Sequence, residues 1–132
     1  MSKQNLEVVR RSLDAWNRRD LDRALAEMHP DCVVDWSESR GPDSGIYRGR
    51  ERVRRFYEGW LELFDQVDIQ PEDLIDVGEH VVVPNRGFAR GREGVTVTAS
   101  STQVFTFREG KIVRVRLYQQ KETALRAVGL VQ

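Results

Sequence analysis

The sequence predicts an α+β fold in which helices pack on one side of an antiparallel sheet. Three observations carry this prediction. Helical patterns open the chain, a strongly amphipathic helix follows a short strand, and a long alternating hairpin spans Val95–Gln120. The order of elements is αα β α ββββ α. No repeat, linker or low-complexity segment interrupts it, so we expect one domain, residues 1–132.

Composition limits the classes of partner. The 21 basic and 21 acidic residues cancel, so no net charge directs the chain to nucleic acid or to an anionic membrane. The longest apolar runs are far shorter than the roughly 20 residues of a membrane span. The polar N-terminus leads straight into a helical pattern, and Cys32 has no second cysteine to pair with, so we expect a cytoplasmic protein. Cys32 is interpreted as a small buried hydrophobe rather than a nucleophile.

The first third of the chain reads as two helices and a strand. Apolar residues recur at helical spacing through Arg19, at Leu6, Val9, Leu13 and Trp16. Asp20 is placed to cap a second, shorter helix that ends at His29-Pro30-Asp31. Cys32–Trp36 is predicted to be a short strand, and the Ser-, Gly- and Pro-rich stretch Ser37–Gly45 a loop.

The best helical pattern of the sequence follows, with apolar residues at Val53, Phe56, Tyr57, Trp60, Leu61 and Phe64. The arginines of its first turns are interpreted as a solvated helix side rather than a phosphate grip. Strands are then predicted over Val67–Val77, with a polar interruption at residues 71–73, and over His80–Arg90. The glycines at 87, 91 and 94 indicate hairpin bending, because no helix follows them. A short helix, Glu122–Val128, ends at Gly129.

The hairpin Val95–Gln120 carries the functional argument. We predict a three-residue turn, Arg108-Glu109-Gly110, which sets Phe107 opposite Lys111 and Gln103 opposite Val115. Val95, Val97 and Phe105 then share an inner face with Ser101, Gln103 and Gln119. On the preceding strand, Asn85 follows Val81 and Val83 at every second position, so it is expected on this face as well. These polar groups either bind a ligand in a cavity or form a satisfied internal network.

Several stretches resemble the SnoaL-like branch of the nuclear-transport-factor-2-like (NTF2-like) superfamily. They are Leu13–Asp20, Met28–Asp31, Tyr47–Glu51, Phe105–Val113 with Tyr118, and Ala127–Leu130. The resemblance covers nearly the whole chain. It implies a cone-shaped fold, in which a strongly curved antiparallel sheet packs against N-terminal helices and encloses an internal pocket. Members include polyketide cyclases, a ketosteroid isomerase, a dehydratase, an epoxide hydrolase and proteins without catalysis, so the fold does not choose a function.

The resemblance argues against steroid isomerisation. Its three catalytic positions align with Trp36, Ser12 and Gln103, and none of these carries the required base, tyrosine donor or protonated aspartate. Asp35 lies beside the base position and is the candidate general base, weighed against an exposed strand-end carboxylate. Gln103 stands where cyclases are expected to hold an acid or base, and a glutamine cannot shuttle a proton.

Two functions therefore stay open. The first is a small apolar or aromatic molecule bound in the cone and converted by a cofactor-free isomerisation, cyclisation, dehydration or hydrolysis. The second is a non-catalytic ligand-binding or dimerisation module. Asp35 is the catalytic candidate, and the substrate-binding candidates are Trp36, Tyr57, Trp60, Asn85, Ser101, Gln103, Phe105 and Gln119. For the aromatic candidates on the long helix, Tyr57 and Trp60, plain core is the alternative.

Other ligands and partners are expected as follows. No metal site or cofactor is predicted, because His29 and His80 lack partners at metal-ligand spacing. A homodimer is expected from the resemblance, through the outer face of the hairpin, with an ordinary solvated face as the alternative. That face is formed by Thr96, Thr98, Ser100, Thr102, Thr106, Arg114, Arg116 and Tyr118.

Overall fold

The structure, a computed structural model, describes residues 2–41, 43–91 and 93–130. Four helices and seven strands are found there. In chain order they are α1 (Ser2–Asn17), α2 (Leu21–Ala26), β1 (Met28–Asp35), β2 (Ile46–Arg48), α3 (Arg50–Leu63), β3 (Phe64–Pro71), β4 (Ile75–Val77), β5 (His80–Gly91), β6 (Thr96–Arg108), β7 (Lys111–Tyr118) and α4 (Lys121–Ala127). The predicted α+β class is confirmed, and the strand β2 was not predicted.

The strands form one curved sheet that does not close, in the order β2-β1-β7-β6-β5-β3. β3 and β4 both pair with β5, and residues 72–74 separate them, a break that overlaps the polar interruption predicted at residues 71–73. The pair β1–β7 is parallel, in contrast to the antiparallel sheet predicted throughout. These two strands are joined by most of the chain, so no tight turn constrains their direction.

The helices α1, α2 and α3 cover one face of the sheet, which we call the inner face. The Asp20 side chain caps α2 as predicted, by accepting a hydrogen bond from the backbone N–H of Arg23. Asn17 bonds the backbone of Ile69 in both directions, at 2.9 and 2.8 Å, and fastens the end of α1 to β3. The inner core contains buried residues from α1, α2, α3 and four strands, among them Val9, Leu25, Cys32, Val53, Val83, Phe105 and Val115.

The last helix lies on the opposite, outer face, so the prediction that all helices share one side is wrong. Ala124 of α4 packs with Val82, Val104 and Tyr118, which alternate with inner-face residues on their strands. Tyr118, assigned to a polar outer surface, is therefore 6% exposed, and its neighbour Thr102 is also buried. The apolar side of α4 covers an apolar patch that strand alternation alone did not reveal.

The hairpin register differs from the predicted one. Glu109 and Gly110 both have positive φ, of 54° and 78°, and form a two-residue turn, so Arg108 pairs with Lys111. A bulge at Val113 then shifts the pairing, and Gln103 lies opposite Leu117 instead of Val115. A left-handed glutamate is uncommon, which is why the sequence favoured the longer turn. The bulge keeps both Ile112 and Val115 in the inner core.

The far end of the hairpin also departs from prediction. Val95 and Val97, predicted to lie on a buried face, are 63% and 52% exposed. The strand residues 96–100 are exposed on both faces, because no helix of the described chain covers them. Only the half of β6 from Ser101 to Phe107 borders the interior.

Candidate functional site

Three of the predicted polar residues meet on the inner face of the central strands. Asn85 pairs with Ser101 across β5 and β6, and the neighbouring pair is Val83 with Gln103. Ser101 Oγ donates to Asn85 Oδ1 at 3.3 Å, and Asn85 Nδ2 donates to the carbonyl of Val83 at 3.0 Å. Asn85 is thus held by two internal hydrogen bonds, as the alternative of a satisfied network requires.

Gln103 is different. It is 6% exposed, and its side chain finds no hydrogen-bond partner among the residues that the structure describes. Its neighbours in the sheet, Val83 and Leu117, are apolar. An amide in such surroundings costs free energy unless a ligand or water occupies its donors and acceptor. Gln103 is therefore the polar group of the inner face that is available to bind a molecule.

The helices bring two further polar groups to the interior. The indole Nε1 of Trp16, on α1, is buried without a hydrogen-bond partner in the described structure. The Trp16 ring meets Tyr57 of α3 edge-on, with ring centroids 5.1 Å apart. Burial raises the pKa of the Tyr57 hydroxyl, so the phenol stays neutral at physiological pH. We call Trp16, Tyr57, Asn85, Ser101 and Gln103 the inner site.

Aromatic rings continue from the inner site toward the loop after β1. Phe56 contacts Tyr57 at 5.8 Å, Trp36 at 5.8 Å and Tyr47 at 4.0 Å between ring centroids. Trp36 faces the inner core, because it follows Cys32 and Val34 at every second position and so lies on the same side of the chain. Burial raises the pKa of the Cys32 thiol, which fits the predicted role of a buried hydrophobe.

Three predicted residues have other surroundings. Phe105 is 3% exposed and forms part of the inner core. Trp60 stacks on Phe64, with ring centroids 5.7 Å apart, at the end of α3. Gln119 lies beyond the end of β7, and its Nε2 donates to the backbone carbonyl of Glu38 at 2.8 Å. Trp60 and Gln119 therefore have partners other than Gln103.

Asp35 lies on the outer face, on the side of the sheet opposite Trp36. Its Oδ1 accepts hydrogen bonds from the hydroxyl and the backbone N–H of Ser37, at 2.6 and 3.1 Å. Its Oδ2 lies 3.3 Å from Arg114 and 3.7 Å from Arg116. Burial raises the pKa of the carboxyl, but the bonds from Ser37 and the two arginines outweigh it, so the pKa of Asp35 lies below its usual value. This environment stabilises the ionised carboxylate and makes it a weaker proton acceptor.

Comparison with known proteins now places the chain. A model of the SnoaL-like domain matches residues 9–115. The chain belongs to the SnoaL-like domain family. The resemblance drawn from its sequence motifs is thereby confirmed. A comparison with curated proteins finds no match.

Solved structures agree with this SnoaL-like assignment. An NTF2-like protein of unknown function from Burkholderia pseudomallei is 25% identical over 96% of this chain and 98% of its own, with a TM-score of 0.77. TerC, co-crystallised with polyporic acid, is 21% identical over 95% and 98% of the two chains, with a TM-score of 0.78. A candidate SnoaL-like polyketide cyclase from Jannaschia sp. CCS1 is 20% identical over 99% and 95%, with a TM-score of 0.76.

The inner site of this SnoaL-like protein consists of neutral groups. An indole N–H, a phenol and an amide are hydrogen-bond donors, and none of them transfers a proton near neutral pH. Within residues 2–41, 43–91 and 93–130, no group of three or more His, Cys, Asp or Glu is placed to hold a metal ion. Across the same residues, no helix is long and apolar enough to cross a membrane. Sequence reasoning missed Trp16, although a tryptophan on a core-facing stripe always brings an N–H that needs a partner.

Proposed function

We propose that the protein binds a small, neutral, apolar or aromatic molecule between its sheet and its helices. The observation that supports this most directly is Gln103, an amide on the inner face with no partner among the described residues. The buried Nε1 of Trp16, likewise without a partner in that part of the chain, adds a second donor. Donors in an apolar enclosure suit a ligand with a carbonyl or hydroxyl oxygen and an aromatic body. The inner site offers no cation to offset a ligand charge.

The test is binding of small aromatic ketones, with acetophenone and 1-tetralone as probes. Gln103→Leu removes the amide and keeps the side-chain volume, so it should weaken ketone binding roughly tenfold, the worth of one buried hydrogen bond. Gln119→Leu is the matched control, because the same chemical change falls on a side chain bonded to Glu38. Isothermal titration calorimetry measures both. Equal affinities of wild type and Gln103→Leu would exclude Gln103 as the ligand-binding group.

A second candidate is cofactor-free catalysis on such a ligand, by isomerisation, cyclisation, dehydration or hydrolysis. It is supported by a neighbour of the same fold that is named as a candidate polyketide cyclase. Asp35 is held as an ion on the outer face, so we propose that any turnover does not use it as the base. Turnover of a ketone substrate should then survive Asp35→Asn and fall with Gln103→Leu. A loss of turnover in Asp35→Asn, measured at a temperature at which the variant is still fully folded, would restore Asp35 as the base.

We also propose a homodimer through the outer face of the hairpin. Part of the predicted face is covered by α4, and the part over Thr96–Ser100 is exposed. Thr98, exposed in the middle of this part of the face, would lie between the two copies. Sedimentation at micromolar concentration should show a dimer that Thr98→Lys dissociates, and a wild-type monomer would refute the proposal. A cytoplasmic location remains part of the proposal, since the one cysteine has no disulfide to form.

A further inference from the structure

A cleft of 480 Å³ lies on the outer face, across β1, β2, β6 and β7. It lies outside the inner site, because its β1 residues alternate with the core residues Cys32 and Val34. Its size falls in the range of small-molecule sites. The residues that line it are His29, Asp31, Val33, Asp35, Ile46, Arg48, Thr106, Arg108, Val113 and Arg114.

The cleft has an apolar side. Val33 and Val113 are half-buried, and Ile46 of β2 is 44% exposed to the cleft and to solvent. The bulge in β7 places Val113 on the outer surface next to Arg114, where regular alternation would have turned one of the two inward. Three branched side chains thus provide a surface for a ring or a short alkyl chain.

The cleft also has more cationic groups than its own carboxylates occupy. Arg48 and Arg108 are exposed and form no ion pair with any described residue. Arg114 gives one hydrogen bond to Asp35, and a guanidinium has five N–H donors. The charge of Asp35 is already shared between Arg114 and Arg116. The cleft is thus lined by three guanidinium groups and two carboxylates, and one of these carboxylates, Asp35, is already paired with arginines.

His29 adds a donor of defined orientation. Its Nδ1 accepts a hydrogen bond from the backbone N–H of Asp31 at 3.0 Å. With Nδ1 as the acceptor, Nε2 is the ring nitrogen that can donate to a ligand, and no described residue bonds it. The Asp31 carboxylate itself has no partner among the described residues and repels an anion at the rim. This repulsion lowers the affinity of the cleft for an anion, so removal of the Asp31 charge should raise that affinity.

We propose that this cleft binds a small organic anion, whose carboxylate or phosphate contacts Arg48, Arg108 and Arg114. The body of the anion lies on Val33, Ile46 and Val113. Arginine forks match both anions, because paired N–H groups meet two oxygens of either one. This site is separate from the proposed ketone site, and neither depends on the other.

The experiment titrates benzoate, phenyl phosphate and inorganic phosphate into the ¹⁵N-labelled full chain and follows amide shifts. Benzoate or phenyl phosphate should give saturable shifts at the cleft residues, and inorganic phosphate should bind more weakly because it lacks the apolar body. Binding of benzoate alone identifies a carboxylate site, and binding of phenyl phosphate alone identifies a phosphate site. Arg108→Gln and Arg48→Gln should each weaken binding roughly tenfold.

Three variants separate this site from general charge effects. Asp31→Asn should tighten binding about threefold, by removal of an exposed like-charge repulsion. Arg126→Gln makes the same change of charge on exposed α4, and it should leave binding unchanged. Gln103→Leu should also leave anion binding unchanged, so failure of the ketone site does not affect this test. No saturable shift at the cleft, or equal losses in Arg108→Gln and Arg126→Gln, would overturn the proposal.

Discussion

Replacement of Gln103 by leucine should make the protein more stable. The side chain is almost fully buried, sits between the apolar partners Val83 and Leu117, and forms no hydrogen bond with the described residues. Leucine is of similar size and has no polar atoms to desolvate. The free energy of unfolding should therefore rise in Gln103→Leu, whereas most substitutions lower it.

The size of the gain follows from the contacts. A buried amide without a partner costs about 1–3 kcal/mol. Gln103 retains 6% of its surface, so contact with water offsets part of that cost. We expect a net gain of about 1 kcal/mol. For a domain of this size the midpoint of thermal unfolding should rise by about 3–5 °C.

Chemical and thermal denaturation without ligand measure this gain, and Asn85→Leu provides the opposite control. Asn85 is buried on the same face but bonds Val83 and Ser101, so its replacement should lower the free energy of unfolding by about 1–3 kcal/mol. The two substitutions thus differ in sign for one physical reason. A fall of more than about 1 kcal/mol in Gln103→Leu would show that the amide has a partner, and the ligand-binding argument would fail with it.

Two further predictions concern the outer face and the turn. Asp35→Asn should lower the free energy of unfolding by about 2 kcal/mol at neutral pH, since the side chain is 9% exposed and bonds Ser37 and Arg114. The pKa of Asp35 is lowered by folding, so its stabilisation is present above the unfolded pKa of about 3.9 and is lost as the pH falls through the folded pKa. Denaturation at several pH values should show the gap between variant and wild type closing in acid, and a gap independent of pH would refute this. Glu109→Asn should add about 0.5–1 kcal/mol, because asparagine adopts the positive φ of 54° more readily, whereas Glu109→Ala should add nothing; equal effects would contradict the turn argument.

Much of the fold was predictable because it depends on periodicity. The stripes of α1 and α3, the cap at Asp20 and the interruption of the strand at residues 71–73 all follow from local patterns, and the structure contains each of them. The register of β6 and β7 did not follow. It depends on a glutamate in a left-handed conformation and on a bulge at Val113, and neither has a local sequence signal.

For the candidate site, the sequence predicted which residues share a strand face but not which of them lack a hydrogen-bond partner. Alternation correctly placed Asn85, Ser101 and Gln103 on one face, because register errors in β7 do not move residues of β5 and β6. Alternation could not tell which of them lacks a partner, since hydrogen bonding depends on tertiary neighbours. Gln119 illustrates the limit: it continues the inner-face pattern of β7 but lies past the end of the strand and bonds Glu38. The importance of Trp16 became apparent only because none of the described residues offers an acceptor to its Nε1.

The two hydrogen bonds between Asn17 and Ile69 have a consequence for the protein's behaviour at high concentration. β3 ends the sheet, so its outward N–H and C=O groups are open to pairing with a strand from another molecule. Asn17 occupies both groups of Ile69, in the way that a backbone amide of a further strand would. The Asn17 side chain thus blocks the middle of an edge strand that could otherwise pair with a strand of another molecule. Solutions of Asn17→Ala should aggregate at concentrations at which the wild type stays clear, even where the fold of the variant is intact.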